Sequence, residues 1–138
     1  MKKGSVMSAD GHGDEPIPPR RDAADLIERC ELFGEAAIRL AKTIQRNPIT
    51  TPLISQFIRS STSLGANYSE AQNGLTRKEF FQRIGICQKE ANETKHWIRT
   101  LVAADDGCRA EARVLWKEAN ELHLIFSAIL NRRGDKPA

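Results

Sequence analysis

The chain has 138 residues, 40% of them hydrophobic, and a formal net charge of +3. That length gives one domain room for a single core, and no apolar run reaches the roughly 18 residues of a membrane span. Three cysteines without a C-x-x-C pair argue against a disulfide framework and a zinc knuckle, and the mild charge neither requires nor excludes a polyanionic partner.

Residues 1–21 are rich in Gly, Pro, Ser and charge and show no helical period, which predicts a disordered tail. They lack the apolar middle of a signal peptide, so a cytoplasmic location is expected. Met7 is a second candidate start. Pro16, Pro18 and Pro19 stop a helix from reaching back into this stretch.

Four periodic segments follow. Leu26, Cys30, Phe33, Ala37, Leu40 and Ile44 fall at alternating spacings of four and three, predicting a helix from Asp22 to Arg46. Acidic residues crowd its first half and basic ones its last turns, complementing the helix dipole. The second helix is expected to start at Thr51-Pro52, as cap and first helical residue, and to run over residues 52–73. Its stripe is Ile54, Phe57, Ser61, Leu64, Tyr68 and Ala71, with Gly74 as the left-handed cap. Thr76 and Glu79 form a capping box for a third helix over residues 77–104, with Phe80, Ile84, Cys87, Ala91, Thr94, Ile98 and Leu101 as its stripe. After the Asp105-Asp106-Gly107 turn, a fourth helix over residues 108–132 carries Ala112, Leu115, Ala119, Leu122, Phe126 and Ile129. Residues 134–138 read as a C-terminal tail. Short connections make successive helices antiparallel neighbours, and the 3-4 spacing sets a shallow crossing. The expected fold is all-α: an up-and-down, left-handed, antiparallel four-helix bundle.

The second helix is unlike the rest. From Asn47 to Thr76 only Arg59 and Glu70 are charged. Ser55, Ser60, Thr62, Ser63, Gly65, Ala66, Asn67 and Ser69 lie behind its apolar stripe, and such small residues let another backbone approach closely. A weakly polar solvated face is one reading; burial of this face against a second subunit is the sharper one. Arg59 and Glu70 are too far apart along the helix, roughly 16 Å, to pair with each other. If buried, each needs a partner from elsewhere, and Glu90 and Glu93 are the acidic candidates for Arg59.

Enzyme chemistry is hard to find. Glu93-x-x-His96 matches one half of a di-iron bundle motif, but the fourth helix offers Glu118, Glu121 and His123 at the wrong spacing, so no metal site or cofactor is expected. Cys30 and Cys87 occupy stripe positions and read as apolar filler. Tyr68 reads as a core aromatic, and Trp97 and Trp116 as seals at the core edge or anchors for a partner. One pole of the bundle gathers Arg39, Lys42, Arg46, Lys95, Arg99, Arg109 and Arg113 against Asp105, Asp106 and Glu111. An ordinary solvated mixture or a nucleic-acid footprint would both account for it, with Arg39, Lys42, Arg46, Arg99 and Arg113 as the candidate contacts. Two functional classes follow for a non-enzymatic protein: an accessory factor that binds RNA or DNA, or a structural adaptor for a protein partner.

Two motifs carry a family resemblance. The run Arg59-Ser-Ser-Thr-Ser-Leu-Gly-Ala-Asn67-Tyr68-Ser-Glu70-Ala71 resembles the signature of the bacterial four-helix-bundle protein family that includes proteins encoded by intervening sequences in 23S ribosomal RNA genes. Lys89-Glu90-Ala91-Asn92-Glu93-Thr94-Lys95-His96-Trp97-Ile98 is similar to its third-helix motif, and Arg77-Lys-Glu-Phe80 to the opening of that helix. The resemblance runs from Asp22 to Arg132. It implies a homopentameric ring and a distant kinship with the accessory protein of diversity-generating retroelements, a basic pentamer associated with nucleic acid and a reverse transcriptase. The matched polar residues Arg59, Ser63, Asn67, Glu70, Glu90 and Glu93 then read as structural or interface groups. His96 stands where the family pattern has Tyr, and Gln88 where it prefers an apolar residue.

Overall fold

A computed structural model describes residues 23–134. The expected N-terminal tail, Asp22 and the last four residues lie outside the described residues. Four helices, and no strand among the described residues, make up the fold: α1 (Ala23–Thr43), α2 (Thr50–Ala71), α3 (Arg77–Ala104) and α4 (Arg109–Leu130). Short 3-10 turns, Asp106–Cys108 and Asn131–Gly134, flank α4.

Side-chain pairs fix the topology. Gly34 of α1 lies against Thr62 of α2, Asn67 of α2 bonds Arg83 of α3, and Gln88 of α3 bonds Ser127 of α4. Along α2 and α3, Ser60 meets Thr94, so residues that rise along one helix fall along the next. The chain is an up-and-down four-helix bundle. Each helix packs extensively on its sequence neighbour, whereas α1 meets α4 along a much thinner seam.

The stripes fill the core. Phe33, Phe57, Leu64, Ile84, Leu101, Leu122 and Phe126 are fully buried, and each such side chain contributes roughly 1.5–3 kcal/mol relative to exposure. Tyr68 packs obliquely on Phe126 across the bundle, ring centroids 5.7 Å apart. Leu26, Phe80 and Ile129, at the ends of their stripes, are only partly buried against this core.

Helix α4 runs over Arg109–Leu130, short of 108–132 at both ends, and three ends of α1 and α2 also differ from expectation. First, α1 stops at Thr43 instead of Arg46: Ile44 turns its amide to the Ala41 carbonyl, and the chain leaves the helix. Second, α2 is not capped by Thr51. The side chain of Asn47 accepts from the amides of Ile49 and Thr50, both at 2.9 Å, and Thr50 is buried with its hydroxyl donating to the Gln45 carbonyl at 2.6 Å. Pro52 thus occupies the third helical position, where an amide would still lack an intrahelical acceptor. Third, the amides of Gln72 and Asn73 close α2 onto the carbonyls of Ser69 and Glu70, and Gly74 takes the left-handed conformation (φ 69°) after that closure. The Thr76–Glu79 capping box is formed in both directions.

Candidate functional site

Small residues on α2 serve the bundle first. A methyl group at Gly34 would already touch the Thr62 backbone at 3.6 Å, so α1 and α2 run close together. The Glu31 carboxylate lies over Gly65 in the space a side chain would need. Ser60 is fully buried on the other flank, and Thr94 Oγ1 stands 2.9 Å from its hydroxyl and 2.8 Å from the Glu90 carbonyl. Ser60 and Gly65 therefore belong to the seams inside the bundle, not to an outer face. Ser55, Arg59, Ala66 and Glu70 remain exposed on the outside of α2, with Thr62, Ser63 and Asn67 half-buried beside them.

A polar cluster closes the α2–α3 seam. Arg59 donates to both oxygens of Glu90, at 3.2 and 3.3 Å, and to Glu93, while Gln56 holds its Nε at 3.0 Å. The indole of Trp97 donates to the same Glu93 oxygen at 2.9 Å. The guanidinium thus bridges two carboxylates one helical turn apart on α3, a geometry suited to its planar fork. Exposure is unequal: the Arg59 side chain is 46% accessible and that of Glu90 only 11%. One turn and more along the seam, Asn67 donates to the Ser63 carbonyl and accepts from Arg83 at 3.1 Å. The Ser63 hydroxyl donates to the Ser60 carbonyl. Glu70 is exposed and makes no ion pair among the described residues, so water supplies what burial would have demanded.

The bundle pole where α1 and α3 end and α4 begins is different in kind. Arg39, Lys42, Arg46, Arg99, Arg109 and Arg113 are all exposed, and none is in an ion pair among the described residues. Lys95, nearer mid-helix, is engaged: its amine donates to Asn120 at 2.9 Å and lies 5.4 Å from the centre of the Trp116 ring.

A family model described as 23S rRNA-intervening sequence protein matches residues 24–128, a span that holds all four helices but Ala23 of α1 and the last two residues of α4. The chain belongs to this family. As a 23S rRNA-intervening sequence protein it is similar to a solved structure from Bacteroides thetaiotaomicron, a protein with unknown function from the S23 ribosomal protein family. The two share 26% identity with a TM-score of 0.68, over 76% of this chain and 97% of that one. No curated protein matches the chain significantly.

All of the Arg59 cluster falls within the span shared with the 23S rRNA-intervening sequence family. Its two carboxylates are both taken by Arg59, which leaves an occupied ion-pair network and no free acid–base pair. No group of three or more metal-ligating side chains occurs among the described residues. Burial pushes the Cys30 thiol up to about 12, helped by the nearby Glu31 carboxylate. Burial likewise raises Cys87 and Cys108. A thiol held protonated at neutral pH is a poor nucleophile.

Several contacts of this family member are invisible to sequence reasoning. Arg29 of α1 makes a two-pronged bond to Glu118 of α4, at 2.6 and 2.9 Å, and reaches Glu121. Arg83 bonds Asn67, and Gln88 donates to the Ser127 hydroxyl at 2.9 Å. Nothing in periodicity marks these residues, since each needs the register between two helices to be known. His96 is exposed and meets Trp97 edge-on, with centroids 4.7 Å apart.

Proposed function

We propose that this protein is a non-enzymatic, self-assembling accessory factor of the cytoplasm that binds the phosphate backbone of RNA or DNA. The observation that carries this reading is the basic pole: six exposed Arg and Lys side chains with no carboxylate within ion-pair distance among the described residues. Cations already neutralised in the fold release little counterion on binding; unpaired ones release more. Assembly is proposed as a closed homopentameric ring through the outer face of α2, whose only charges are Arg59 and Glu70. Five weakly basic poles on one rim would convert weak single contacts into avidity.

Exposed apolar side chains favour a second reading, an adaptor oligomer with a protein partner. Leu32, Val114 and Leu124 are each more than half exposed. Titration of a structured RNA and a duplex DNA at about 50 and 200 mM salt separates the two. Affinity that falls steeply with salt, and falls again in the Lys42→Glu, Arg46→Glu variant, is the expected result. No binding at the lower salt removes the nucleic-acid reading and leaves the adaptor.

A further inference from the structure

Charge is sorted between the two flanks of α3 and of α4. On α3, Glu90 and Glu93 face α2, where Arg59 takes both. On α4, Glu118 and Glu121 face α1, where Arg29 takes both. Helical periodicity puts Glu79 on the same flank as Glu90, and Glu111 on the same flank as Glu118. The groove between α3 and α4 is left without a carboxylate from either helix. Its α3 wall is the i, i+4, i+7, i+11 row Gln88, Asn92, Lys95 and Arg99, and its α4 wall is the matching row Trp116, Asn120, His123 and Ser127, with Arg113 and Lys117 exposed at its outer edge. Two bonds fix that these rows face each other: Gln88 with Ser127 and Lys95 with Asn120.

Trp116 stands in the same groove. It is 37% exposed, a large share for an indole, and the Lys95 amine lies 5.4 Å from its ring centre. Lys95 is held in place by Asn120 Oδ1 at 2.9 Å and approaches His123 Nδ1 at 3.5 Å. Desolvation, and secondarily the Lys95 charge, keep that imidazole's proton affinity below its ordinary value. Arg99, Arg113 and Lys117 are exposed around it, and Asn92 adds an exposed amide. The α3 row alone spans roughly 16 Å. One fixed cation and several exposed ones around an accessible aromatic ring, flanked by amides, are the components of a surface that holds a phosphate chain while a base stacks.

The geometry points to the α3–α4 groove as a binding site for single-stranded nucleic acid, with phosphates on Lys95, Arg99, Arg113 and Lys117 and a base against Trp116. This deepens the nucleic-acid reading above and rests on it. It moves the main contact from the tip of the pole to the side of the bundle, and it selects single strands over duplex, because a paired base has no free face to offer the indole. An acidic peptide would satisfy the cations but not the ring.

Fluorescence and anisotropy titrations of the full chain test this with four probes: an oligouridylate, an abasic oligomer of the same length, a duplex and polyglutamate. The expected result is tightest binding of the oligouridylate with quenching of indole emission. Trp116→Ala should weaken it roughly tenfold or more, while Trp116→Phe, which keeps a ring, retains most of the affinity. Arg99→Glu with Lys117→Glu should weaken binding and flatten its salt dependence, by a slope of about 0.7 for each phosphate that is no longer neutralised. Equal binding of the abasic oligomer, or polyglutamate binding as tightly as the oligouridylate, overturns the stacking site. Binding that ignores Trp116, Arg99 and Lys117 yet disappears in Lys42→Glu, Arg46→Glu also overturns it and leaves the basic-pole reading intact. No binding of any nucleic acid overturns both.

Discussion

Arg59 shows how one side chain can be both accessible and structurally costly to remove. Its guanidinium reaches solvent, but Glu90 beneath it is nearly buried and depends on it. Truncation to Ala therefore leaves a desolvated carboxylate without its cation, at a cost of about 1–3 kcal/mol. Exposure of the Arg59 end keeps this below the figure for a fully buried pair. In a double-mutant cycle by urea denaturation, Glu90→Gln should recover part of the loss in the Arg59→Ala background. Simple additivity of the two changes would show that the pair is not coupled. The partnership was legible in the sequence because Arg59 is one of two charges in a long uncharged stretch, and α3 supplies acids at the matching height. Asn67 with Arg83 and Lys95 with Asn120 were not legible. Their residues are ordinary surface types, and only the register between helices makes them partners.

At the scale of the helix, the stripes carried most of the information. The 3-4 spacing located the core faces because a misplaced stripe would leave Phe33, Phe57 or Phe126 in water. Helix ends were harder, since several side chains can cap the same amides. Asn47 reaches forward across Pro48 to take two of them, and Thr51 is left with no cap to make. Glycines test the same balance. Gly85 lies inside α3, more than two turns from its start, with nothing within 4 Å of where a side chain would begin. Gly85→Ala should stabilise the bundle by about 0.5–1 kcal/mol. Gly74→Ala, at a φ of 69°, should destabilise it by about 1 kcal/mol or more. Thermal melts of the two variants should move in opposite directions; a shared direction would mean that α3 is not helical through Gly85 or that Gly74 is not left-handed.

For the whole molecule, the proposed assembly would decide how the α2 face is used. Part of its small-residue pattern is explained without a partner, because Ser60 and Gly65 pack within the bundle. The remainder, with Ser63 half-buried between exposed Arg59 and Ala66, is the surface proposed for the ring. Ser63→Glu should dissociate the assembly in sedimentation velocity while leaving the helical circular dichroism and melting of the subunit close to those of the parent. A monodisperse monomer already in the parent protein would dispose of the ring. This scale was the least legible from sequence: one chain specifies which residues avoid charge, but both a helix seam and a subunit contact reward that avoidance.

The thin α1–α4 seam sets the order in which this molecule is built. The α1–α2, α2–α3 and α3–α4 pairings each join helices adjacent in the chain, so each can zip up as a hairpin with little chain entropy to overcome. The bond from Arg29 to Glu118 ties together positions 89 residues apart, and the seam it belongs to closes the longest loop for the smallest packing return. The α1–α4 seam is therefore expected to close last during folding and to open first on the way out, with the three pairings of chain neighbours still in place. The Arg29–Glu118 clasp then works as a latch on an otherwise self-zipping chain.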